Sequence, residues 1–143
     1  MIREPHSITI PGKPAGKARP RVGQGGHFYS PKAGAFEAKV VQLAQQAWGT
    51  TPDDALYGVT VVVRKKIPDS WSKKRKAVSQ GMRVSAVPDL CNIEAAIFDA
   101  LEGILWHNDR QVVRRAASRV LWGSDEVIIM VSELKEGAQR PST

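Results

Sequence analysis

The chain has 143 residues, is 42% hydrophobic and carries a formal net charge of +7, which suits one folded domain with one core and argues against a disordered polyelectrolyte. No apolar run approaches the roughly 18–20 residues of a membrane-spanning helix, and the start Met1-Ile2-Arg3-Glu4-Pro5 lacks the basic and apolar blocks of a secretion signal, so a cytoplasmic protein without membrane contact is expected. Cys91 is the single cysteine, which excludes an intrachain disulfide and a zinc cluster built on cysteines.

In chain order, Ser7-Ile8-Thr9-Ile10 alternates polar and apolar residues and stops at Pro11-Gly12, the pattern of a short strand. Residues 12–32 are rich in glycine and proline and read as a loop. Within it, Gly23-x-Gly25-Gly26 is not a nucleotide-binding fingerprint, because no strand leads into it and no helix follows directly. A helix is predicted from Ala33 to Gly49, with Phe36, Val40, Leu43, Ala44 and Ala47 on one face. Tyr57 to Val63 is dense in β-branched residues and predicts a central strand.

Ser70-Trp71-Ser72 can cap a short basic helix running to Ser79 and ended by Gly81. Arg83 to Val87 should be extended, since Pro88 disfavours helix in the residue before it. The clearest helix spans Asp89 to Leu101: Ile93, Ala96, Ile97, Ala100, Leu101 and Ile104 keep the i, i+3, i+4 spacing, and Gly103 stops it. Asp89 then falls at or near the N-cap, where the helix dipole favours an anion. Val112 to Trp122 and Val127 to Leu134 read as strands, with Gly123-Ser124 suggesting a hairpin between them. The polar residues 136–143 form a flexible tail. The order predicts an α+β fold, with helices packed on one face of a mixed β-sheet and residues 1–143 in a single domain.

Charge is unevenly distributed. Lys13, Lys17, Arg19, Arg21 and Lys32 have no acid among them, and Arg64, Lys65, Lys66, Lys73, Lys74, Arg75, Lys76 and Arg83 are opposed only by Asp69. From Asp89 to Asp109 the sign reverses: Asp89, Glu94, Asp99, Glu102 and Asp109 occur without a single Lys or Arg. Basic surfaces displace counterions from nucleic-acid phosphates, and clustered carboxylates hold the hard cations that activate water. A metal-dependent nuclease needs both, although a single acidic helix face on a basic protein gives the same charge pattern.

Other residue types admit two readings each. Cys91 is a nucleophile or a small residue at a helix start, and lacks an obvious histidine partner. Asp99 is a metal ligand or a helix carboxylate with local hydrogen bonds. Trp71 and Trp106 would stack on unpaired bases or anchor the core or a dimer interface. His107, near Asp109 in sequence, is a phosphate contact or a surface histidine.

The stretch from Pro88 to Val112, with Pro88-Asp89-Leu90-Cys91-Asn92-Ile93, Asp99-Ala100-Leu101-Glu102-Gly103 and Trp106-His107-Asn108-Asp109-Arg110-Gln111-Val112, resembles the signature of RusA-type Holliday junction resolvases. Gly12-Lys13-Pro14, Lys17-Ala18-Arg19-Pro20-Arg21, Tyr29-Ser30-Pro31-Lys32 and Ile67 to Arg75 are similar to segments of the phage and prophage branch of that family. The resemblance implies a homodimeric, Mg²⁺-dependent endodeoxyribonuclease of DNA recombination and repair, acting on four-way or branched DNA without a small-molecule cofactor. It places essential carboxylates at Asp89, at position 91 and at Asp109.

Three departures are visible: Cys91 stands where the family has Asp, Ala95 where it has Lys, and Asn108 where an acidic pair would begin. Sulfur suits softer metals than Mg²⁺. The resemblance therefore implies a catalytic set of Asp89, Cys91 and Asp109, a metal site on Asp89 and Asp109 with Asp99 or Glu94 as a substitute donor, and Mn²⁺ as a second metal. The alternative is a binding protein that no longer cleaves; a basic RNA-binding module is a third reading. DNA contacts are expected from Lys13, Lys17, Arg19, Arg21, Lys32, Lys73, Lys74, Arg75 and Lys76.

Overall fold

The computed structural model describes the backbone of residues 4–16, 21–23, 26–28 and 31–134, and the side chains of residues 4–16 and 34–134. The elements run β1 (Ser7–Pro11), β2 (Arg21–Gly23), β3 (Gly26–Phe28), α1 (Pro31–Trp48), β4 (Leu56–Lys66), α2 (Lys73–Ser79), α3 (Leu90–Leu101), a 3₁₀ turn (Asp109–Gln111), β5 (Val112–Trp122) and β6 (Glu126–Leu134). The α+β expectation therefore holds, and the predicted tail lies outside the described residues. The loop expected over residues 12–32 contains a small antiparallel ladder, with Arg21 opposite Phe28 and Val22 opposite His27. Two β-formers, Val22 and Phe28, suffice to zip a short ladder there.

The main sheet has four strands in the order β1-β6-β4-β5. Strand β6 runs antiparallel to β1 and β4, whereas β5 runs parallel to β4. This corrects the predicted hairpin: β5 and β6 follow one another in sequence but do not pair, because β4 lies between them. The connecting turn passes over the end of β4 and is tied to it. Ile67 N donates to Trp122 O (2.9 Å), and Lys66 N donates to Asp125 Oδ1 (2.9 Å).

Alternation decides which face is covered. Tyr57, Val59, Val61 and Val63 of β4, Val127, Ile129 and Val131 of β6, and Ile8 and Ile10 of β1 share one buried face. Phe36, Val40, Ala44 and Trp48 of α1 and Ile93, Ala96, Ile97, Ala100 and Leu101 of α3 complete the same core. Helix α1 begins two residues before the predicted start, with Pro31 in the first position, where its missing N–H costs nothing. Helix α3 ends at Leu101, and Gly103 follows with φ +86°, a conformation that favours glycine.

Beyond α2, which is capped by Ser72 accepting from Arg75 N, the chain returns along the outer edge of β5. Gly81 N donates to Leu121 O, Leu121 N to Met82 O, and Val84 N to Arg119 O. The extended stretch expected before Pro88 is thus partly a strand addition. No helix among the described residues is long and apolar enough to cross a membrane.

Leu101 is fully buried. Leu101→Ala is expected to lower unfolding free energy by about 2–5 kcal/mol, the range for large-to-small core substitutions, measured by urea denaturation with an unchanged m-value.

Candidate functional site

Asp89 is the N-cap of α3, as its sequence position predicts, but its side chain makes no capping hydrogen bond. It is exposed, so the carboxylate faces solvent rather than the helix amides. The backbone that delivers it is held from below by Arg119 of β5. Arg119 Nη1 donates to Ala86 O (2.7 Å), and Nη2 donates to Pro88 O. Arg119 is only 7% exposed. Burial pushes its guanidinium below the usual arginine value, and the nearby Asp89 carboxylate pulls the other way. The group stays cationic, because arginine starts so far above neutral pH. Two neutral carbonyls and one opposing carboxylate compensate a charge that would otherwise be costly to bury.

The Gly12–Gly16 loop lies against the first turn of α3. A Cβ on Gly16 would stand 2.8 Å from Asn92 Nδ2, so a side chain there would require the Asn92 side chain to shift. Lys13, on the same loop, lines a pocket with Pro88 and Arg119.

Asp109 is held by a separate network. Trp106, fully buried, donates from Nε1 to Asp109 Oδ1 (3.0 Å). The indole is wedged between Tyr57 (ring centroids 5.5 Å apart) and Phe98 (6.0 Å, edge-on), which fixes the donor. Trp106 is therefore the core anchor of its two readings. The turn carrying Asp109 is fastened by Gln111. Its Oε1 accepts from His107 N (2.8 Å) and Asn108 N (3.1 Å), and its Nε2 donates to Asp53 O (2.7 Å) and Ala55 O (2.9 Å). Asn108 Oδ1 accepts from Arg110 N (2.9 Å), completing a capping box. Asn108 thus has a structural role where an acidic residue was expected. His107 Nε2 lies 3.7 Å from Asp54 Oδ1, an exposed pair at the surface.

The remaining candidates separate. Cys91 and Asp99 are both exposed on α3, whereas Glu94 is buried. Among the described residues no group of three or more His, Cys, Asp or Glu side chains is placed to hold a metal ion. Asp89 and Asp109 present hard oxygen donors, the type Mg²⁺ takes while keeping several waters; they do not build a closed cage. Lys73, Lys74 and Arg75 are exposed on α2 and Lys76 is partly exposed. Arg75 stacks over the half-exposed Trp71 ring at 3.5 Å, so Trp71 is no core anchor. Lys17 and Arg19 lie outside the described residues, as do the side chains of Arg21 and Lys32.

Sequence reasoning missed Arg119 and Gln111. Arg114-Arg115-Ala116-Ala117-Ser118-Arg119 reads as a solvated stretch. The available signal was the period of two: Ala117, Arg119 and Leu121 fall on one face, and Ala117 packs on the core while Leu121 is buried. Gln111→Leu removes four hydrogen bonds at a half-exposed position. It is expected to cost about 2–4 kcal/mol at the usual net value per bond, and to speed hydrogen exchange at the His107 and Asn108 amides before it affects α3.

Comparison with known proteins places these residues in context. The chain is similar to an uncharacterized protein of Bacillus subtilis (strain 168), YqaN, with 29% identity over 135 residues, covering 89% of this chain and 95% of that relative. Residues 11–132, most of the chain and the whole of the Asp89 to Asp109 stretch, match the family described as Endodeoxyribonuclease RusA. With both anchored aspartates and the basic segments inside that match, the chain belongs to the RusA endodeoxyribonuclease family.

Proposed function

We propose that this protein is a structure-selective endodeoxyribonuclease that cuts four-way DNA junctions by metal-dependent phosphodiester hydrolysis. The observation that carries the reading is the held carboxylate of Asp109. It stands on a turn clamped by Gln111, is oriented by a buried indole, and belongs to a basic chain of an endodeoxyribonuclease family. A solvated surface acid needs no such support.

In this reading Asp89 and Asp109 hold Mg²⁺, or Mn²⁺, with Asp99 as a further donor. When bound, such an ion supplies an activated water and neutralises charge on the phosphodiester. The protein contributes placement: Trp106 and Gln111 fix Asp109, and Arg119 fixes the backbone of Asp89. Lys73, Lys74, Arg75 and the partly exposed Lys76, with Lys13 on the Gly12–Gly16 loop, grip backbone phosphates, and Lys17, Arg19, Arg21 and Lys32 extend that grip. A junction presents two strands related by approximate two-fold symmetry, which suits a two-fold homodimer with one site per strand. Such an enzyme works in the cytoplasm, on recombining or damaged DNA.

A second reading is favoured by one observation. Cys91 is a thiol where a hard donor is expected, and no three-donor group forms around Asp89 or Asp109 among the described residues. A protein that binds branched DNA without cutting it follows from that.

Incubating a mobile four-way junction with the protein and Mg²⁺ or Mn²⁺ separates the two. The nuclease reading expects paired nicks that fall by ~100-fold or more in Asp109→Asn, a loss of the size seen when one charge-stabilising group leaves an active site. Binding without nicks, with nicks gained on Cys91→Asp, selects the second reading. Absence of binding and of nicks in both proteins overturns both. Trp106→Phe is expected to shift the metal requirement upward by ~10–100-fold, the usual cost of losing a group that orients a ligand, read from the metal titration of nicking.

A further inference from the structure

A pocket of about 180 Å³ opens beside Asp89, at the end of β4. Its lining includes Lys13, Arg64, Lys65, Pro88, Arg119 and Asp125. It is smaller than the ~300–1,000 Å³ of typical small-molecule sites, which excludes a nucleoside but leaves room for a compact anion.

The charges in it are not equivalent. Arg64 is committed elsewhere: Nη1 pairs with Glu126 Oε1 at 2.7 Å, and its guanidinium lies 4.2 Å from the Trp122 ring centroid. Asp125 is held in place but keeps its negative charge, because its partner is a neutral amide. Its Oδ1 accepts from Lys66 N (2.9 Å), and its backbone O accepts from Gly12 N (2.9 Å), which pins the Gly12 loop to the β5–β6 turn. Arg119 is a buried cation whose hydrogen-bond partners are two neutral carbonyls, with the Asp89 carboxylate nearby as its opposing charge. The side chains of Lys13 and Lys65 make no hydrogen bond or ion pair among the described residues. Two unpaired ammonium groups therefore face one small cavity with a buried guanidinium behind it. Lys13, Lys65 and Arg119 outnumber Asp125, the one carboxylate in the lining, so the pocket keeps a positive excess that draws an anion, and the low-dielectric wall strengthens that attraction.

We infer that this pocket seats one backbone phosphate of a DNA strand running past Asp89, an inference that rests on the DNA-acting reading above. Lys13 and Lys65 contact the phosphate oxygens, and Arg119 supplies charge from behind while holding the segment that carries Asp89. One residue thereby couples phosphate capture to placement of a candidate metal ligand. The pocket would fix where a strand lies relative to the carboxylates, a positioning role distinct from the general grip of α2.

Two readouts test it: fluorescence anisotropy with a labelled four-way junction over a series of KCl concentrations, and NMR of the Arg119 Nε–H and the Ala86 and Val87 amides. The double variant Lys13→Gln/Lys65→Gln is expected to lower the slope of log affinity against log salt by about one to two, near 0.9 per phosphate contact. Inorganic phosphate is expected to shift the three resonances in the wild type and not in the double variant. The control Lys73→Gln/Lys74→Gln should also reduce the slope but leave the phosphate-induced shifts intact. If the junction binds, yet slope and shifts are the same in wild type and double variant, the pocket inference fails while the DNA-acting reading stands. If no DNA binds, yet phosphate shifts the resonances only when Lys13 and Lys65 are present, the DNA reading fails and an anion pocket stands. If neither ligand moves the resonances in the wild type, the pocket inference is overturned.

Discussion

Strands β4 and β5 lie side by side and point the same way. No tight turn can join two parallel neighbours, because the chain must travel back the full length of the strand before it starts the second one. That single pairing obliges residues 67–111 to form a crossover. Helices α2 and α3, both anchored aspartates and the basic α2 surface all lie within it. Helix α3 is the return leg. Its apolar face settles on the same side of the sheet as α1, which leaves its N-terminal end beside Arg119 and its C-terminal end leading into the Trp106 turn.

The two carboxylates are supported from opposite directions. Asp109 is oriented from the core, through an indole that two aromatic rings immobilise, and from the flank, through an amide that stitches its turn to the residues just before β4. Asp89 is held through its backbone, and its exposed side chain makes no capping hydrogen bond and meets Arg119 only through charge. One acid therefore has a fixed direction and the other a fixed position. An exposed side chain can still rotate to meet a cation or a partner subunit. The energetic weight of the region falls on Gln111 and Arg119, neither of which need touch a substrate directly.

Much of this was readable in the residues. The i, i+3, i+4 spacing of Ile93, Ala96, Ile97, Ala100 and Leu101 predicts α3, and the β-branched run of Val59 to Val63 predicts β4, because burial imposes a period that composition must obey. Asp89 at the helix start follows from Pro88 before it. What could not be read was partnership. Gly123-Ser124 signals a reversal of direction, and the chain does reverse there; but a turn specifies its own geometry, not whether another strand enters between its arms. Arg119 was hidden for a related reason. An arginine among arginines and alanines looks solvated, and becomes a core residue only once the carbonyls of Ala86 and Pro88 arrive from the far side of the crossover.

The backbone returning along β5 after α2 has a consequence for the protein's behaviour in solution. An open outer strand offers a ladder of unsatisfied amides and carbonyls to any extended chain that meets it, and such edges seed aggregation. Here residues 81–84 occupy part of that ladder with the protein's own backbone. On the opposite side, β1 is five residues long and ends in proline, which limits the hydrogen-bonding length it can present. Both margins of the main sheet thus offer less free backbone for strand addition by another copy than full-length open edges would.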